Sequence, residues 1–425
     1  MTIKFKPSIM GTELHLKANE RSQTSRDFRE GLRQLNSWLV VAFGFILPMW
    51  VAPTNILAGV ILLLWLAQGN VKADIEKIRS NRFVWAISAF VLLHFVGFAW
   101  TSDLAHGWEV AGRETLLLLI PLFMMVLKEE HVGAAINSFI ASMTLSAILS
   151  ILLYFRINPS FIVYDCPADF APFMSRISYA PYLTIAVYIS LYHLVLDRSA
   201  SIHKKAASAI VALLLATVIF ISNGRAGQVM FFAMIGLVIF QHYERRILRA
   251  LIISAVALPM IAIVAYKMSD RFSARAIDVI EDVKRFNRHD GSGTGATGER
   301  IIMATNAIEI FLNHPVAGVG TGDFPSEYAR VAKRNSPEYA DAFHPHDMYL
   351  LELAQFGIIG LASLLWILFS QVRSAVRSKT PLRKYFGLTL PLLFSLIMFS
   401  DSYLLGHYTT MMFIFFSSFL YREPG

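Results

Sequence analysis

Apolar runs of roughly 20 residues recur along the chain, the length an α-helix needs to cross ~30 Å of hydrocarbon. They fall at 36–51, 54–69, 83–100, 113–127, 133–155, 179–196, 206–222, 226–242, 249–267, 346–370, 385–400 and 402–420. Lipid offers the backbone no hydrogen-bond partners, and these runs are too long and too evenly apolar for barrel strands. The pattern therefore predicts an all-α polytopic membrane protein of about twelve transmembrane helices. Pro48 and Pro53 bracket the break between the first two runs and predict a tight hairpin there.

One polar stretch interrupts the ladder. It divides the chain into a leader (1–35), nine expected helices (36–267), a loop (268–345), and three helices with a short tail (346–425). Inside the loop, Phe272, Ala276, Val279, Ile280, Val283 and Phe286 recur at three-to-four spacing and predict a surface helix over 269–287. Gly291, Gly293 and Gly295 follow, as a hinge that closes over substrate or as a plain linker. A second helix, with Ile301, Ala304, Ile308 and Phe311 as its buried stripe, is expected from Gly298 to about Asn313, before Pro315. Gly318, Gly320 and Gly322 then turn the chain, and Asp323 is placed to cap a third helix through Arg334. These apolar stripes predict a loop that packs on the membrane surface.

Composition agrees with the pattern. Hydrophobic residues make up 55% and charged residues 16%, where a soluble chain carries about a quarter charged. With the N-terminus inside, 24 of the 38 Lys and Arg residues fall on the cytoplasmic side. The positive-inside rule then puts both termini in the cytoplasm and the 268–345 loop outside. The net charge of +8 follows from that topology and from anionic membrane lipid, and calls for no nucleic acid. Residues 1–35 read as a disordered or surface-lying cytoplasmic leader rather than a signal peptide. Cys166 is the only cysteine, which excludes a disulfide framework or a cysteine metal cluster.

Several motifs resemble one family. They are Gly298-Glu299-Arg300, the run from His314-Pro315 through Gly318-Val319-Gly320-Thr321-Gly322-Asp323-Phe324, and His346-Asp347-Met348-Tyr349-Leu350 with Gly357 and Gly360. Upstream lies Ser222-Asn223-Gly224-Arg225-Ala226-Gly227. Together they resemble the signature of the O-antigen ligase and polymerase superfamily, and the single dominant outside loop late in the chain favours the ligase branch. The resemblance implies a bundle of the GT-C glycosyltransferase kind in the bacterial inner membrane, with its active site on the periplasmic face. It implies transfer of a finished polysaccharide from undecaprenyl diphosphate to a sugar of the lipid A core, with no cofactor and no metal.

Elementary chemistry asks for cations and a base. A lipid diphosphate is densely anionic and gains charge on leaving, and arginine stays ionised and offers a planar fork to phosphate oxygens. Arg225 sits at the outer mouth between two spans and Arg300 opens a loop helix; they lead as catalytic clamps. Arg271 and Arg275, one turn apart above a membrane exit, are further substrate-binding candidates. Interface snorkelling or headgroup binding explains such residues equally well when the motif is ignored. An acceptor hydroxyl must lose a proton, and His346 at a helix start is the expected base. His344 lies nearby, and Tyr349 and Leu350, three and four residues after His346 and on its helix face, could line the acceptor slot. Gly318 and Gly320 form either an anion-binding nest or a simple turn. His344 and His346 would make a metal pair only with a third ligand, and none is evident. Two other function classes share features with this reading: a polymerase of lipid-linked repeats or a protein oligosaccharyltransferase, and a secondary transporter, although transporters show two similar halves.

Overall fold

In the computed structural model, residues 9–157, 169–222, 224–274, 277 and 296–422 are described. Among them every regular element is a helix. The helices are α1 (Ile9–Ile46), α2 (Val51–Ala67), α3 (Val71–Ile78), α4 (Arg82–Val96), α5 (Leu104–Thr115), α6 (Leu119–Val126), α7 (Val132–Tyr154) and α8 (Arg176–Leu191). They continue as α9 (Ile202–Ile221), α10 (Arg225–His242), α11 (Ile247–Met268), α12 (Ala296–Asn313), α13 (Phe324–Asn335), α14 (Met348–Arg377), α15 (Pro381–Ile397) and α16 (His407–Leu420).

Every expected span contains helix, but continuity differs. Among the described residues, six helices are long and apolar enough to cross a membrane on length and composition, or seven if α2 and α3, bent by 110°, count as one span. The expected span 113–127 is broken, because α5 passes through a tight turn at Leu116–Leu118 before α6. The expected span 402–420 starts late, since 401–406 is turn and α16 begins at His407. The leader is helical from Ile9, where α1 begins and runs unbroken into the first apolar run.

Burial separates a centre from a lipid-facing rim. In the apolar window of α8, 72% of residues are buried, against 11% in α11. The rim exposes Leu63, Leu213, Leu248 and Val256, an apolar exterior that only lipid satisfies. Between helices in lipid, close packing replaces the hydrophobic effect, so small residues mark the contacts. Gly227 of α10 meets Ala180 of α8 so closely that an added Cβ would lie 2.8 Å from the Ala180 Cβ. Phe43, Phe123, Phe139, Phe415 and Phe416 interlock in the core as edge-on and stacked rings.

The glycine-rich turn splices into a break in α14. Gly357 has φ 61° and ψ −150°, which interrupts the helix and frees carbonyls from the helical ladder. The Val319 N–H donates to the Ala354 carbonyl at 3.0 Å and the Gly320 N–H to the Gln355 carbonyl at 2.9 Å. In return the Ile358 N–H donates to the Pro315 carbonyl at 2.9 Å. Gly318 has φ +63° and leaves no room for a side chain, since a Cβ would lie 2.2 Å from the Gln355 carbonyl carbon. Gly318→Ala is therefore expected to destabilise the protein by at least about 1–3 kcal/mol. A thermal melt in detergent checks this; an unchanged midpoint would mean that the splice does not form.

Candidate active site

The site is built at the end of the bundle where α10 and α14 begin and α15 finishes. The Met348 N–H, at the start of α14, donates to the Met398 carbonyl at 2.8 Å, just past the end of α15. That bond brings the turn carrying Asp401 beside the segment carrying His344 and His346. His346 Nδ1 lies 3.4 Å from Asp401 Oδ1, and His344 Nδ1 lies 3.5 Å from the same oxygen. The two imidazoles meet edge to face, their centroids 4.5 Å apart. His346 has φ +51°, a left-handed conformation for a residue with a Cβ. Such strain costs on the order of 1–3 kcal/mol and concentrates at functional sites.

Electrostatics follow from this crowding. Burial pushes the Asp401 carboxyl up, but His346 and His344 beside it more than offset that and hold it below the ordinary carboxylate range. Burial lowers His344 despite the attraction of Asp401, and His346 and Arg113 add to the lowering. The site therefore pairs an ionised Asp401 with a His344 that resists protonation. The atoms of His344, His346 and Asp401 lie within 4.8 Å of one another, so the third ligand that the sequence did not reveal is Asp401, and the three could also hold a divalent cation.

One cavity opens onto the cluster, and a second adjoins the first. The first, of about 270 Å³, is lined by His344, Asp401, Tyr403, Arg113, Ser178 and Gln355, among others. The second, of about 390 Å³, shares Arg113, Leu405 and Gly406 with it. Together they provide room for a sugar and an anionic group.

The expected cations are placed unequally. Arg225 is the first residue of α10 and is half-buried. Its neighbour Gly224 lies against the first turn of α8, where an added Cβ would stand 4.0 Å from the Arg176 carbonyl oxygen, and Ser178 of that turn lines the cavity. Arg300, near the start of α12, is exposed. Arg271 is half-buried and its guanidinium sits 4.5 Å over the Phe170 ring. Arg275, Ala276 and the stretch 278–295 lie outside the described residues. That stretch carries the rest of the expected surface-helix pattern, together with Gly291, Gly293 and Gly295.

Other expectations change role. The N–H groups of Gly318 and Gly320 donate to the carbonyls of His314 and Gln355, so both glycines serve the splice. The Gly322 N–H donates to Gln355 Oε1 at 2.9 Å. Asp347 Oδ1 caps α14 by accepting from the Leu350 N–H at 2.9 Å. Asp323 precedes α13 without capping it, because its carboxylate accepts from the Ser102 and Asp103 N–H groups at 2.7 and 2.8 Å. The Tyr349 hydroxyl donates to the Ser395 carbonyl at 2.9 Å, tying α14 to α15. Sequence reasoning missed Asp401 and Arg113. The available signal was position: Asp401 is the lone acid between the last two apolar runs, and Arg113 opens the fourth.

No curated protein matches the chain. Residues 210–365, under half of the chain, match the family model described as O-antigen ligase. The matched segment holds Arg225, Arg300, His344 and His346, and leaves out Arg113 and Asp401. The family implies a glycan-transferring enzyme of ligase or polymerase type. Through this segment, and the motifs within it, the protein is similar to the O-antigen ligase superfamily.

Proposed function

We propose that the protein transfers a polysaccharide from undecaprenyl diphosphate to a sugar hydroxyl of the lipid A core, on the periplasmic face of the bacterial inner membrane. The observation that carries this reading is the His346–Asp401 pair, 3.4 Å apart, beside cavities whose lining includes Arg113. The acceptor oxygen attacks the anomeric carbon as the bond to the diphosphate oxygen breaks. The diphosphate leaves with the electron pair, and Arg225 and Arg300 balance its added charge. The hydroxyl proton passes to His346 Nε2, because Nδ1 faces Asp401. A direct displacement of this kind inverts the anomeric centre. Both termini are cytoplasmic in this reading, and about twelve helices cross the membrane.

The test is reconstitution of purified protein with undecaprenyl-diphosphate glycan and lipid A-core, without ATP. A higher-mass lipopolysaccharide ladder is expected. Lengthening of the lipid-linked glycan instead would identify a polymerase, and no product would contradict the reading. A chelator arm decides the role of the His344–His346–Asp401 group: activity is expected to survive chelation, and loss restored by a divalent cation would make the cluster a metal site.

Asp401→Asn is expected to slow transfer by about 10²-fold through mispositioning of His346. The folded-state carboxyl lies below its ordinary value of 3.8, so its charge is complete above that value and is lost only as pH falls below it. The carboxylate therefore stays ionised from about pH 5 to 8, and a penalty should persist throughout that range. A pH–rate profile checks this, and a penalty that vanishes within that range would argue against an ionised Asp401.

A further inference from the structure

A larger cavity, of about 920 Å³, lies at the opposite end of α10 and α15 from the His346 site. The 18 residues of α10 separate the two by about 27 Å. Its wall includes a π-helical turn at Tyr192–Leu196, which continues α8; such turns break the regular ladder and recur at functional sites. Arg198, Arg245 and Arg246 line it, together with the apolar Leu196 and Leu382.

The acids in this cavity are already engaged. Asp197 lies 3.1 Å from His193 Nδ1 and 3.6 Å from Lys204 Nζ, and accepts from the Ser199 hydroxyl at 2.6 Å. Glu244 pairs with Lys384 at 2.8 Å. Arg198 and Arg246 form no ion pair among the described residues. Guanidinium groups without acids, set beside aliphatic walls at the end of a membrane helix bundle, suit a phosphate that carries acyl chains.

We propose that this cavity binds the headgroup of an anionic glycerophospholipid, its phosphate held by Arg198 and Arg246 and its glycerol and upper acyl carbons resting on Leu196 and Leu382. The aliphatic walls favour a lipid over free phosphate, which would gain nothing from them. The site is separate from glycan transfer and does not depend on the proposed reaction.

The test uses the full chain, delipidated in neutral detergent, with bound lipid counted by native mass spectrometry. Phosphatidylglycerol is expected to bind at least about tenfold more tightly than phosphatidylcholine. The Arg198→Ala/Arg246→Ala variant should bind phosphatidylglycerol about 25-fold more weakly, at about fivefold for each arginine. Lys379→Ala, on the same face, should not change it. Equal binding of the two lipids by the unaltered protein would overturn the proposal, as would an unchanged affinity in the double variant. Displacement of phosphatidylglycerol by equimolar inorganic phosphate would overturn the lipid assignment. The lipid comparison and the phosphate competition use the unaltered protein, so they stand even if the variant fails to fold.

Discussion

Replacing His346 with alanine is expected to lower the rate of glycan transfer by about 10²–10⁴-fold, the usual contribution of a positioned base. The loss should appear in kcat, because the imidazole acts on the proton that moves in the transition state and not on the diphosphate that anchors the donor. Backbone strain could confuse the result, since His346 has φ +51° and alanine keeps that strain. His346→Gly removes both the ring and the strain. It should lose as much rate as the alanine variant while melting at the same temperature or higher. Near-normal transfer by either variant would remove His346 as the base. His344→Ala is expected to cost less, because His344 shares Asp401 at 3.5 Å without being the proton acceptor.

The second large effect is expected at the arginines. Arg225→Ala and Arg300→Ala should each reduce kcat by about 10²–10³-fold, the range found when a fixed donor to developing negative charge is removed. The leaving diphosphate is more anionic than the bound donor, so these groups stabilise the transition state more than the ground state. Lysine at either position should recover only part of the rate, because it lacks the planar fork. Arg271 stacks on Phe170, and Arg271→Ala should have the smaller effect. Initial rates on the lipid-linked donor check the order. Full activity in Arg225→Ala would remove the clamp, and a change in KM alone would make it a binding residue only.

Much of the architecture was legible because lipid imposes a simple rule. A long apolar run must be helical when it meets hydrocarbon, so helix is found in each expected span. The breaks were less legible. The interruption at Leu116–Leu118 directly follows Arg113-Glu114-Thr115, yet the expected span ran through both. The site was half legible. Arg225, Arg300 and His346 sit in recognisable local motifs, whereas Asp401 reaches His346 through contacts between distant parts of the chain, the Met348–Met398 and Tyr349–Ser395 hydrogen bonds among them. The same limit explains the misassigned Asp323. Asp323 and Asp347 both precede helices, and sequence alone does not say that Asp347 caps while Asp323 reaches across to the N–H groups of Ser102 and Asp103.

The central claim places the His346 cluster and its arginines on the extracytoplasmic side, where a lipid-linked glycan and its acceptor meet. Sidedness can be measured in a Cys166→Ser background with single cysteines at Lys333 and Lys379, exposed positions toward opposite ends of the bundle. A membrane-impermeant thiol reagent, applied to cells with a permeabilised outer membrane, should label Lys333→Cys at once and Lys379→Cys only after lysis. Labelling in the reverse order would put the base and the arginines in the cytosol and contradict the account.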